Sequence, residues 1–128
     1  MTPESTATPP AVRTSSEGLD DLGMAVHKNT LNRWYQLMHL GRLLDQKADM
    51  YVRAGRGWSY HASFAGHDGI QLILGLSFRQ NKDFLFPYYR DLLTCLAAGI
   101  TAEEIILNGI SKAADVASGG RHMSNHFA

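Results

Sequence analysis

The chain has 128 residues and is formally neutral, with twelve Lys and Arg against twelve Asp and Glu, so it has room for one domain and lacks the basic excess of a nucleic-acid binder. Its single cysteine, Cys95, can form no internal disulfide and no multi-cysteine zinc site, which indicates an intracellular chain without disulfide staples. No apolar run approaches the roughly 20 residues that a membrane span needs.

Residues 1–28 carry Pro3, Pro9 and Pro10 and many Ser and Thr, but few large apolar side chains, and are expected to form a disordered leader. They lack the basic start and apolar centre of a secretory signal, and Glu4, Glu17, Asp20 and Asp21 argue against an organellar transit peptide, so the expected location is cytoplasmic. From Leu31 a helical period begins. Leu31, Trp34, Tyr35, Met38 and Gly41 share one side, widened by Leu37, Leu40, Leu44, Ala48, Tyr51 and Val52. Asn29 or Thr30 is expected to cap this helix and Gly55-Arg56-Gly57 to end it.

An extended or irregular passage follows from Trp58 to Ala65. Gly66-His67-Asp68-Gly69 then opens a second helix with Ile70, Ile73, Leu74 and Ser77 at helical spacing and with Gly69 and Gly75 positioned for close backbone approach. His67 beside Asp68 invites an acid/base reading, yet adjacent helical residues do not face each other, and the pair reads as a helix start. A short strand-like run through Phe86 turns at Pro87 into a third helix, about Asp91 to Ala98, closed by Gly99. Cys95 within it reads as a small buried apolar side chain. Thr101 stands three residues before Glu104, the spacing of a capping box, and opens a fourth helix through Ile105, Ile106, Leu107 and Ile110.

The junction Phe86-Pro87-Tyr88-Tyr89-Arg90-Asp91 holds the most pointed chemistry. A guanidinium gives two parallel N–H donors to one phosphate, and a neighbouring phenol adds a donor without adding charge. On spacing alone the packing reading is the stronger one, since aromatics and an Arg after proline most often form a packed loop. In the last segment, His122 and His126 are four apart and could share a helix face to bind zinc, but Gly119 and Gly120 disfavour a helix there and no cysteine is near. No Walker or dinucleotide phosphate loop, nucleophile elbow or internal repeat is present.

Taken in order, the long amphipathic helix, Gly66-His67-Asp68-Gly69, Asp83-Phe84-Leu85-Phe86-Pro87-Tyr88-Tyr89-Arg90-Asp91 and Gly119-Gly120-Arg121-His122-Met123-Ser124-Asn125-His126-Phe127 resemble the N-terminal part of the E1 α subunit of thiamine diphosphate-dependent 2-oxoacid dehydrogenases. The branched-chain type is closest. The resemblance implies a mainly α segment, the helical start of an α/β thiamine diphosphate-binding fold, with residues 29–128 as the first part of that domain and its parallel sheet largely beyond residue 128. It implies that Tyr89 and Arg90, with Tyr88 beside them, contact thiamine diphosphate. Tyr60 would line the substrate pocket, and Met123 and His126 would lie near the 2-oxoacid, with His126 binding or polarising its carboxylate or keto oxygen.

The resemblance further implies cofactor-borne decarboxylation, passage of the acyl group to a lipoyl-bearing E2 component, and an E1 β partner or fused β region that supplies the activating Glu. The magnesium-binding signature, Gly-Asp-Gly and a later Asn, is expected beyond Ala128, so that the 128 residues look truncated and are expected to be inactive, weakly folded, and liable to expose a large apolar face. Leu92-Leu93 stands where many relatives have His-Gly, and Ser124 where branched-chain relatives often have Pro. A second reading stays open: a non-catalytic helical interaction module in which the stripes are an assembly surface and Tyr89 and Arg90 merely pack.

Overall fold

A computed structural model describes residues 26–127. All but the end of the expected leader lies outside them. Among the described residues four helices follow one another: α1 Lys28–Arg53, α2 Asp68–Ser77, α3 Leu92–Ala98 and α4 Ala102–Gly109. The chain divides into two compact units, Met1–Leu31 and Asn32–Ala128. Of the first, the described part is the entry to α1. There the expected Asn29 or Thr30 cap gives way to an earlier start: His27 Nδ1 accepts the Asn29 N–H at 3.2 Å, doing with an imidazole lone pair what a Ser or Asp oxygen does elsewhere.

In the second unit, α1 buries Leu37, Gly41, Leu44, Asp45 and Ala48. These recur at four, three, one and three residues, one face of a helix, and meet Phe64 and Leu93 beneath Gly41. The wider stripe read from the sequence is split by this register, because Leu31, Tyr35 and Leu40 lie on the exposed side. Gly55, at φ +62°, supplies the left-handed turn that ends the helix, as expected.

The second helix departs further from expectation. Ile70, Ile73 and Leu74, the apolar residues at helical spacing, are 57%, 61% and 56% exposed, while Gln71, Leu72 and Gly75 are buried. The reason is close packing of α2 on α3. A Cβ on Gly75 would stand 2.5 Å from Ala97 Cβ and closer still to the Thr94 carbonyl, so the narrow side of α2 faces inward and its bulky side outward. Gly69 plays no such part, with open space at its Cβ position.

The strand expected through Phe86 is extended but unpaired among the described residues, and no strand is assigned there. Alternation persists without a sheet: Phe84 and Phe86 are 89% and 83% exposed, while Leu85 and Pro87 are half-buried. The third helix runs as expected, and the fourth carries the full capping box: the Thr101 hydroxyl accepts the Glu104 N–H at 3.2 Å, and Glu104 accepts the Thr101 N–H at 2.7 Å. Phe64, Leu92, Leu93, Cys95 and Ile105 form the centre of one core that Trp58, Leu72 and Phe127 complete. Among the described residues no helix is long and apolar enough to cross a membrane.

Candidate functional site

Tyr89 is the hub of an aromatic and cationic face. Its ring lies 3.8 Å from that of Tyr88, 5.3 Å edge-on from Tyr60 and 6.1 Å from His126, and the Arg90 guanidinium sits 5.7 Å from its centroid. The Tyr88 and Tyr89 hydroxyls are hydrogen-bonded to each other. Five of the six residues singled out in the sequence therefore converge, from three separate segments. Met123 enters through its backbone: its side chain is exposed, and its carbonyl lies 3.2 Å from His126 Nδ1.

The electrostatics of this face favour an anion. Hydrogen bonds from Tyr88 and then Tyr60, with Arg90 adding to them, hold the Tyr89 phenol below the ordinary tyrosine range. An acidified phenol is a stronger donor. Tyr88 and Tyr60 move upward in turn, each chiefly through its bond to Tyr89. Among the described residues Arg90 has no carboxylate partner within ion-pair distance, in contrast to Arg42, Arg53 and Arg79.

The backbone beneath is pinned by residues that the sequence reading passed over. Gln71, buried on α2, donates from Nε2 to the Arg90 carbonyl at 2.9 Å and accepts the Leu93 N–H on Oε1 at 3.2 Å, bracketing the turn into α3. Asp91 accepts the Tyr88 N–H at 2.9 Å, closing the same turn from inside. The available signal was a polar residue at a position facing α3, which Gly75 four residues on would have disclosed.

The segment that follows Tyr60 is held by Asp45 of α1. The carboxylate accepts from the Ser63 hydroxyl at 2.5 Å and from the Phe64 N–H at 3.4 Å, and it meets His61 Nε2 at 3.2 Å. Burial alone would raise its pKa, but the bonds from His61, Ser63 and Phe64 outweigh it and hold the carboxyl below its ordinary range. His67 and Asp68 do not act as a pair. Asp68 takes a bidentate bond from Arg42, at 2.5 and 2.7 Å, together with the Gly66 N–H, so it anchors the start of α2 as expected.

A second, buried polar cluster organises the last segment. Asp115 accepts from the Ser118 hydroxyl at 2.6 Å, from the amides of Ala117, Ser118 and Gly120, and from Asn108 Nδ2. Burial opposes ionisation, yet the Ser118 hydroxyl, the Ala117 and Gly120 amides and Asn108 together hold its pKa at about 2. Ser118 passes the bonding on to the amides of Arg121 and His122. Asn108, fully buried at the end of α4, accepts the Asn125 N–H on Oδ1 at 2.6 Å. His122 and His126 share no helix face, because this segment is a chain of turns with Asn125 at φ +63°. Among the described residues no group of three His, Cys, Asp or Glu could hold a metal ion. Cys95 lies in the floor of a groove of about 400 Å³ beside the extended run, and burial, with Asp91 nearby, pushes its thiol up to about 12, which leaves it un-ionised at neutral pH.

This geometry coincides with a family match over most of the chain. The dehydrogenase E1 component family matches residues 35–128, and the chain belongs to that family. It is 36% identical over 93 residues to the 2-oxoisovalerate dehydrogenase subunit alpha of Bacillus subtilis (strain 168), covering 73% of this chain and 28% of that one. It is 31% identical over 88 residues to the pyruvate dehydrogenase E1 component subunit alpha of Mycoplasma genitalium, covering 67% of this chain and 24% of that one. The chain thus spans about a quarter of the length of these curated relatives, 28% and 24%. No solved structure matches.

Proposed function

We propose that the chain is the first part of the α subunit of a 2-oxoacid dehydrogenase E1, and that its Tyr89-centred face takes one side of thiamine diphosphate. The observation that carries this reading is the convergence of Tyr60, Tyr88, Tyr89, Arg90 and His126 on a single exposed face. Arg90 binds phosphate oxygens as a fork, with the acidified Tyr89 hydroxyl donating beside it and Tyr88 orienting that hydroxyl. Thiamine diphosphate, when bound, supplies the chemistry that decarboxylates the 2-oxoacid. Tyr60, Met123 and His126 flank the substrate, and His126 meets its carboxylate or keto oxygen.

The remaining parts of the site are proposed to come from outside these residues: magnesium ligands after residue 128, the activating Glu from an E1 β subunit or fused β region, and the acyl acceptor from a lipoyl-bearing E2. A branched-chain 2-oxoacid fits the resemblance best, and a cytoplasmic location goes with it. Calorimetry tests the cofactor face. In the native protein assembled with its β partner, Arg90→Lys weakens thiamine diphosphate binding nearly as much as Arg90→Ala, because an ammonium cannot reproduce the fork. The 128 residues alone are expected to turn over no 2-oxoacid with thiamine diphosphate and magnesium, and turnover would contradict this.

A second reading, a non-catalytic helical assembly module, draws on the outward faces of Ile70, Ile73, Leu74, Phe84 and Phe86. The two readings part at the gene: a frame continuing past Ala128 into Gly-Asp-Gly and a later Asn favours the enzyme, and a stop codon there favours the module.

A further inference from the structure

His126 has its tautomer chosen for it. Nδ1 lies 3.2 Å from the Met123 carbonyl oxygen and 3.1 Å from that of Ser124. Carbonyl oxygens only accept, so Nδ1 must carry hydrogen whether the ring is neutral or cationic. The Ser124 carbonyl is itself fixed by the buried cluster: the Ser124 hydroxyl donates to the Gly109 carbonyl at 3.2 Å, and the amide of the same peptide, Asn125 N–H, donates to Asn108 Oδ1 at 2.6 Å. Asn108 is in turn held by Asp115. We propose that Asn108 is a positioning residue that locks His126 as the Nδ1–H tautomer, so that Nε2 is the nitrogen left for a ligand.

A chemical consequence follows for the substrate. A neutral His126 offers at Nε2 only a lone pair, and the carboxylate and keto oxygens of a 2-oxoacid also offer only lone pairs. The pair can bond only when His126 is imidazolium, so binding of the 2-oxoacid takes up a proton at any pH where the free ring is neutral. This second half rests on the function proposed above. The titratable and charged groups near the ring are Tyr89, facing it at 6.1 Å, the Tyr60, Tyr88 and Arg90 that cluster on Tyr89, and Arg121 and His122 of its own segment, with Asp115 behind Asn108.

The test is a two-bond ¹H–¹⁵N correlation on ¹⁵N-histidine-labelled native protein at pH 8, with the His126 signal assigned by its loss in His126→Gln. The expected pattern is a single Nδ1–H tautomer in the wild type, joined by an Nε2–H signal in Ser124→Ala and in Asn108→Ala. An Nε2–H pattern in the wild type, or an unchanged pattern in the folded variants, overturns the assignment; Ser124→Ala carries this readout if Asn108→Ala fails to fold. Titration with 2-oxoisovalerate in two buffers of different ionisation enthalpy should then show uptake of about one proton per site, lost in His126→Gln. Binding without uptake overturns the imidazolium step. No binding of 2-oxoisovalerate or of pyruvate, with the Nδ1–H signal in place, defeats the E1 reading and leaves the tautomer standing.

Discussion

The Tyr89 face and the Asp115 cluster are opposite solutions to holding polar groups in a small helical unit. The first is open to solvent: Tyr88 and Arg90 are exposed, and its donors bond to one another or to no acid. The second is buried, and Asp115 is met by five donors. A buried carboxylate must be satisfied within the fold, whereas exposed donors can remain available for a ligand. The cluster spends its hydrogen bonds on shape, and the face keeps its own for binding. They meet at His126, whose ring lies beside Tyr89 and whose Nδ1 reaches the Ser124 carbonyl, next to the Asn125 amide that the cluster holds.

Removing one member from each region should separate these roles. Asp115→Ala leaves several amides without an acceptor and should lower unfolding free energy by about 4 kcal/mol, against no shift in the denaturant midpoint for Arg90→Ala. Equal shifts in the two variants would erase the distinction. Gln71→Leu probes the link between core and face: it strands the buried Leu93 N–H and should cost about 2–3 kcal/mol. Because it also frees the Arg90 carbonyl, it should weaken binding of thiamine diphosphate as well, whereas a purely structural Gln71 would change stability alone.

Acid should weaken the cluster at its carboxylate. Asp115 has a folded pKa of about 2, below the unfolded value near 3.8, so its contribution is complete above that unfolded value and is lost as pH falls toward 2. The expected loss is roughly 2 kcal/mol across that interval, and Asp115→Asn should flatten this part of the pH–stability curve. The smallest effect expected is at the α4 cap, away from both regions, where Thr101→Ala should cost about 1 kcal/mol in a denaturation series.

Local start and stop signals carried most of the helical architecture in the sequence. Thr101 with Glu104 marked α4, and the glycines after Val52 and Ala98 marked two helix ends, because each solves a backbone problem within one turn of itself. Burial was legible only in part. Ile70, Ile73 and Leu74 outscore Gln71, Leu72 and Gly75 in apolarity, yet a helix approaching as closely as α3 does selects for the small side. The same limit governs the site. Tyr89 and Arg90 were visible through motif order, while Gln71, Asp45 and Asn108 act through partners 7 to 22 residues away, and Arg42 through Asp68 26 residues on, and no local period encodes such pairings; Asp115, by contrast, takes most of its donors from its own turn.

Cofactor affinity at Arg90 tests the central claim most directly. Thiamine diphosphate titrated calorimetrically into the native assembly should bind about 10- to 100-fold more weakly to both Arg90→Lys and Arg90→Ala than to the wild type, with the denaturant midpoint unchanged. Wild-type affinity in both variants would contradict the account and return the Tyr-Tyr-Arg junction to packing.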